Sequence, residues 1–155
     1  MTDQIISAST TIDAPPATVY AILTDPRQHA RIDGSGSVGA VIEAPDRVTS
    51  KGDTFTVHMK MFGLPYKITN HVVELEPDRR IAWRHFGGHR WRYELTPTDD
   101  GGTAVTETFD YSRYSPLWAR LVEITGFPGR NRRGIEQTLL RLKDAAEADA
   151  AGASA

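Results

Sequence analysis

From Thr54 to Met61 apolar and polar side chains alternate, with Phe55, Val57, Met59 and Met61 on one side and Thr56, His58 and Lys60 on the other. A period of two is that of a half-buried strand, and it turns His58 toward solvent. The same period runs through Ile81, Trp83 and His85, and again through Trp91, Tyr93 and Leu95. The β-branched and small residues of QIISASTTI at 4–12 predict a first strand. A further strand over 66–75 stops at Pro77-Asp78. Its faces conflict: Val73 and Leu75 point one way and Tyr66 and Ile68 the other, which predicts a bulge near Asn70. After a Gly/Ser-rich loop at 34–39, Val41-Ile42 and Val48 predict a short strand or pair about the turn at Pro45-Asp46.

Helical spacing appears in three places. In DAPPATVYAILTDP, Val19, Ile22 and Leu23 share one face, Asp13 is placed to cap, and Pro15 and Pro16 stand where a missing N–H costs little. Asp25-Pro26 ends this helix and starts a second short one through about Ile32. From Ser115, as a cap, a helix runs through Leu117, Trp118, Leu121 and Val122 until Gly126, Pro128 and Gly129 interrupt it. Asn131 is then the expected cap of a final helix with Ile135, Leu139, Leu142 and Ala146 in one stripe. The Ala-rich end from Ala145 is expected to fray, leaving one domain over 1–147 and a disordered tail over 148–155.

Register decides which side chains meet. In HFGGH a two-residue turn at Gly87-Gly88 would put Trp83 opposite Arg92 and send the two aromatic sets to opposite faces. A three-residue loop, Gly87–His89, pairs Trp83 with Tyr93 and Ile81 with Leu95, and is the expectation because one apolar face must be shared. If Leu95 meets Val105 across the Asp/Gly turn at 98–102, Tyr93 lies opposite Glu107 and Trp91 opposite Phe109. One face then collects Met59, Met61, Trp83, His85, Trp91, Tyr93, Glu107, Phe109 and Tyr111. The same apolar residues could equally form a solid core beneath the last helix.

The order of strand, two short helices, antiparallel strands and terminal helix resembles the START-like, or SRPBCC, superfamily, in particular its bacterial polyketide cyclase/dehydrase and lipid-transport group. The residues that carry the likeness are IDAPPATVYAILTDP (12–26), VVELEPDRRIAWR (72–84), TPTDDGGTAVTETFDY (96–111) and GIEQTLLRLKDAAE (134–147). The resemblance implies an α+β helix-grip fold: a curved antiparallel sheet of about six to seven strands around a long C-terminal helix, with a cavity between them. These are fold motifs, and a fold does not specify an activity.

Composition narrows the chemistry. With 39% hydrophobic and 25% charged residues in 155, the chain is an ordinary globular domain. Having no cysteine, it can form no disulfide and no thiolate site, which fits a cytoplasmic setting. A net charge of −2 argues against overall attraction to nucleic acid or anionic membrane. The first ten residues lack a signal-peptide pattern, and no apolar stretch approaches membrane-spanning length, so no integral membrane association is expected. The five histidines form no metal-ligand spacing, and no P-loop, dinucleotide or nucleophile motif occurs, so neither metal nor other cofactor is expected. Seven basic residues stand against Glu123 and Glu136 over 113–143, and GRNRRG (129–134) could meet an anionic head group.

The leading expectation is therefore a carrier, monomeric or homodimeric, of a small hydrophobic or aromatic molecule of lipid, polyketide or isoprenoid type. Its ligand-binding candidates are Met59, Met61, Trp83, His85, Trp91, Tyr93, Glu107, Phe109, Tyr111 and Leu139. An alternative is a cyclase/dehydratase-type enzyme using Glu107, His85 and Tyr93 as acid/base groups. Another is a protein-interaction or chaperone-assisting module using the basic helix entrance.

Overall fold

A computed structural model of the chain describes residues 4–61, 63–85 and 88–153. The elements run β1 (Ile5–Ile12), α1 (Pro16–Leu23), a 3₁₀ turn (Pro26–Gln28), α2 (His29–Ile32), β2 (Val38–Glu43), β3 (Thr54–Met61), β4 (Leu64–Glu76), β5 (Arg80–Arg84), β6 (Arg90–Pro97), β7 (Thr103–Asp110), α3 (Pro116–Ile124) and α4 (Phe127–Ala153). Seven antiparallel strands form one sheet in the order β1-β7-β6-β5-β4-β3-β2, and α4 packs across it. This is the helix-grip α+β architecture. No described helix is long and apolar enough to cross a membrane.

Several local expectations are corrected. Pro15, not Asp13, is the N-cap of α1. Asp13 instead donates its backbone N–H to Glu147 Oε1 of α4 at 3.0 Å. Asp25 does cap, accepting from the Arg27 N–H at the 3₁₀ turn. Of the strand or pair expected about Pro45-Asp46, a single strand forms, β2 (Val38–Glu43), which ends before the turn. Val48 is buried in the following loop, where its N–H donates to the Thr24 carbonyl at 2.8 Å.

The bulge in β4 lies between Val72 and Glu74, not at Asn70. Up to that point the even residues Ile68, Asn70 and Val72 face inward and are buried. Beyond it Leu75 pairs with inward-facing Ile81. The extra residue, Val73, reverses the alternation. Glu74 is thereby sent to the outer face, where Arg92 holds it through Nη2 at 2.8 Å and Arg90 through Nη1 at 3.2 Å. Without the bulge this carboxylate would follow Val72 into the interior.

The β5–β6 hairpin pairs Trp83 with Trp91 and Ile81 with Tyr93, two residues away from the expected register. An even slip keeps every side chain on its face, so the aromatic face is preserved although the partners change. Gly87 of the expected loop lies outside the described residues. Between β6 and β7, Trp91 pairs with Phe109, Tyr93 with Glu107 and Leu95 with Val105, as the alternation requires.

The last helix starts four residues before Asn131. Gly126 (φ 71°) supplies the left-handed turn that separates α3 from α4, and Pro128 and Gly129 are absorbed in the first turn. Where fraying was expected from Ala145, the helix continues to Ala153. Ala145 and Ala146 are buried, and Arg31 of α2 holds Asp149 at 2.9 Å.

Candidate functional site

The sheet and α4 enclose a hollow of about 680 Å³. Inward residues of β3 (Phe55, Val57, Met59), β4 (Tyr66, Ile68, Asn70), β5 (Trp83), β6 (Trp91, Tyr93) and β7 (Glu107, Phe109) form its wall. The loop from Asp33 to Val38 and the first part of α4, between Arg130 and Thr138, close it from the other side. The helix therefore does two jobs along its length. Its later stripe, Leu139, Leu142 and Ala146, is packed solid, with exposures of 2%, 0% and 0%. Its earlier turns stand over the hollow.

Of the residues expected on this face, Met59, Met61, Trp83, His85, Trp91, Tyr93, Glu107 and Phe109 line the hollow. Tyr111 and Leu139 do not. Tyr111 lies behind Phe109, stacked on it at 5.6 Å with its hydroxyl directed to Glu123, and Leu139 belongs to the solid core. The alternation within β3 already pointed to Phe55 and Val57. His29, Asn70, the loop at 33–38 and the 130–138 face of α4 were not anticipated, since only tertiary packing brings them to the cavity. Gly34 shows why: a Cβ there would lie 2.4 Å from the Thr138 backbone nitrogen, so glycine lets loop and helix close together.

Aromatic contacts stiffen the wall. Trp83 stacks on the His29 ring at 4.9 Å and meets Phe55 edge-on at 5.6 Å, while Trp91 lies 4.6 Å from Phe109. The His29 Nε2 faces the Leu23 carbonyl at 2.8 Å and must donate to it, because a carbonyl only accepts. Burial keeps His29 neutral by lowering its pKa. His85 and His89 meet edge-to-face at 5.1 Å, and His89 hydrogen-bonds Tyr114 through Nδ1. Burial brings His89 down to about 4 and, with the neighbouring His89, brings His85 down to about 3. At neutral pH both rings are uncharged.

The polar centre is a pair. Tyr93 donates to Glu107 Oε1 at 2.9 Å, and among the described residues Glu107 Oε2 has no hydrogen-bond partner. Burial pushes Glu107 up to about 8; the Tyr93 hydrogen bond works against that rise and the Asp33 carboxylate adds to it. Glu107 is thus a protonated acid at pH 7. Asn70 Oδ1 is a second atom without a partner among the described residues, its amide nitrogen being held by the Phe55 carbonyl. With Asn131 Nδ2 of α4, which also borders the hollow, three such atoms stand in its wall; buried polar atoms normally find partners, so these mark where a ligand's polar groups fit.

A helix-grip protein with a roomy apolar cavity and a neutral acid in its wall is what fold and site define together. The profile of the polyketide cyclase / dehydrase and lipid transport family matches residues 3–147, and the chain belongs to that family. It is 43% identical over 141 residues to the uncharacterized protein Rv0088 of Mycobacterium tuberculosis, covering 90% of this chain and 62% of that protein. The chain thus spans under two thirds of that relative's length. Its fold is shared by protein NE0264 from Nitrosomonas europaea, with TM-score 0.73 and 18% identity over 97% of this chain and 99% of that one. It is also shared by the Polyketide_cyc-like protein Cgl2372 from Corynebacterium glutamicum, with TM-score 0.61 and 21% identity over 96% and 94%.

Proposed function

We propose that the chain binds and carries a small hydrophobic or aromatic molecule, of lipid, polyketide or isoprenoid type, between the sheet and α4. The observation that carries this reading is the hollow of about 680 Å³ walled by Phe55, Val57, Met59, Ile68, Trp83, Trp91 and Phe109. That size lies in the range of small-molecule sites, and a wall so apolar favours a ligand that water holds poorly. The family's description as lipid transport supports the same reading. Titration with the neutral fluorophore N-phenyl-1-naphthylamine tests it. Saturable binding, displaced by apolar polycyclic ketones, is expected. No saturable binding by a folded protein would overturn it.

A second reading is favoured by one feature, the protonated Glu107 hydrogen-bonded by Tyr93. Burying it costs about 3 kcal/mol at pH 7, which glutamine in its place would avoid. A cyclase or dehydratase would use that proton on a carbonyl or a departing hydroxyl. Under this reading Glu107→Gln abolishes turnover of a poly-β-ketone substrate while binding persists, and undiminished turnover removes Glu107 from the chemistry.

A further inference from the structure

Helix α3 is amphipathic the wrong way round for a helix that merely packs on its own domain. Its apolar residues Leu117, Leu121 and Ile124, spaced i, i+4 and i+7, form one face, and that face is turned to solvent with exposures of 70%, 45% and 72%. Trp118 beside it is 63% exposed. The inward side is anchored by the small Ala119, 1% exposed. Four of the nine large apolar side chains exposed among the described residues thus crowd onto nine residues of chain. Contiguous apolar exposure of this kind normally marks a contact surface.

Charge indicates what the contact is with. Residues 113–133 carry five arginines (Arg113, Arg120, Arg130, Arg132 and Arg133) against one acid, Glu123, in a chain whose net charge is −2. Arg120 stands on α3 itself, one residue before Leu121, and is exposed. Through Gly126 the helix leads into the first turns of α4, where Arg130 and Arg133 border the cavity. Met61 and Leu64, 40% and 69% exposed, stand at the β3–β4 turn, and Met61 lines the same cavity.

We propose that α3, with the cavity rim beside it, docks peripherally on an anionic lipid surface: Leu117, Leu121 and Ile124 enter the acyl boundary, Trp118 sits at head-group level, and the arginines meet lipid phosphates. Nine residues are too few to span a bilayer but suffice to lie in its interface. An indole is at home there, and basic side chains gain attraction from the surface potential only at close range. A lipid surface also accepts a single convex stripe without a complementary groove. A second copy of the chain fits less well, because pairing α3 on α3 about a two-fold axis sets Arg120 near its own image. The docking does not depend on what the cavity holds, so its failure would leave the ligand-binding reading untouched.

Flotation with vesicles of phosphatidylcholine alone, or mixed with phosphatidylglycerol, tests this on the full chain. Binding is expected for the mixed vesicles only and should fall as salt rises. It should be accompanied by a blue shift of tryptophan emission that Trp118→Phe removes. The double variant Leu121→Ser/Ile124→Ser should weaken binding at least roughly tenfold, and Arg120→Gln roughly fivefold. Both alter exposed side chains, so circular dichroism should match the parent. Absence of flotation, or flotation unchanged by the double variant, would overturn the proposal. So would a solution dimer that the double variant turns into a monomer.

Discussion

The Tyr93 hydroxyl donates to Oε1 of Glu107 at 2.9 Å, across one rung of the β6–β7 ladder, and none of the described residues pairs with the other oxygen of that carboxyl. Because its folded pKa, about 8, lies above the ordinary 4.5, Glu107 contributes stability that is complete below pH 4.5 and is lost as pH rises toward 8. His85 and His89 act oppositely: their folded values, about 3 and about 4, lie below 6.5, so stability falls as pH drops from 6.5 toward those values. Burial lowers His29 in the same sense, so three histidines outweigh one carboxyl in the acid range. Thermal stability should therefore peak just above pH 6.5, the histidines' ordinary value, and lose about 1 kcal/mol by pH 8. In Glu107→Gln the alkaline fall should vanish. A parallel fall in parent and variant, measured by denaturant titration across pH, would show that the carboxyl is not protonated in the fold.

Filling the hollow should separate binding from folding. Val57 is 3% exposed and lines the cavity, so Val57→Phe adds volume to existing space instead of to a packed core. Overpacking normally costs about 1–3 kcal/mol; here the change in stability should stay below about 1 kcal/mol. Fluorophore affinity should drop at least roughly tenfold. A large stability loss in the melt would mean that the space is not there.

Gly34 controls how closely α4 approaches the cavity loop. Its N–H donates to Thr138 Oγ1 at 2.9 Å, and an added Cβ would meet the helix backbone at 2.4 Å. Gly34→Ala should cost about 1–3 kcal/mol and loosen the cavity. Thr138→Val, which removes only the hydrogen-bond acceptor, should cost about 1 kcal/mol. Chemical denaturation of the two variants checks the order.

Two ion pairs make a contrast of environment. Arg31–Asp149 is 41% exposed on both sides, and Asp149→Ala should change stability by less than about 1 kcal/mol. Burial raises the Glu74 pKa, but hydrogen bonds from Arg92 and Arg90 outweigh that and hold it below the usual range. With side-chain exposures near 20% at all three residues, Glu74→Ala should cost about 1–2 kcal/mol. Equal losses in the two variants would contradict this reading.

Alternation and helical spacing determined the order of elements, the faces of Met59, Trp83, Tyr93, Glu107 and Phe109, and the buried stripe of α4, because periods of two and 3.6 are properties of the local backbone. The same rule could not choose between registers two residues apart, since an even slip leaves every face unchanged. Nor could it place the β4 bulge, whose position follows from keeping Glu74 out of the interior and beside Arg92. Only the tertiary structure brought His29, Asn70, the loop around Gly34 and the early turns of α4 to one hollow, left Tyr111 and Leu139 outside it, and turned the apolar face of α3 to solvent. Each of these depends on how closely distant segments approach, and such distances are set by packing across the whole sheet, not by any local pattern.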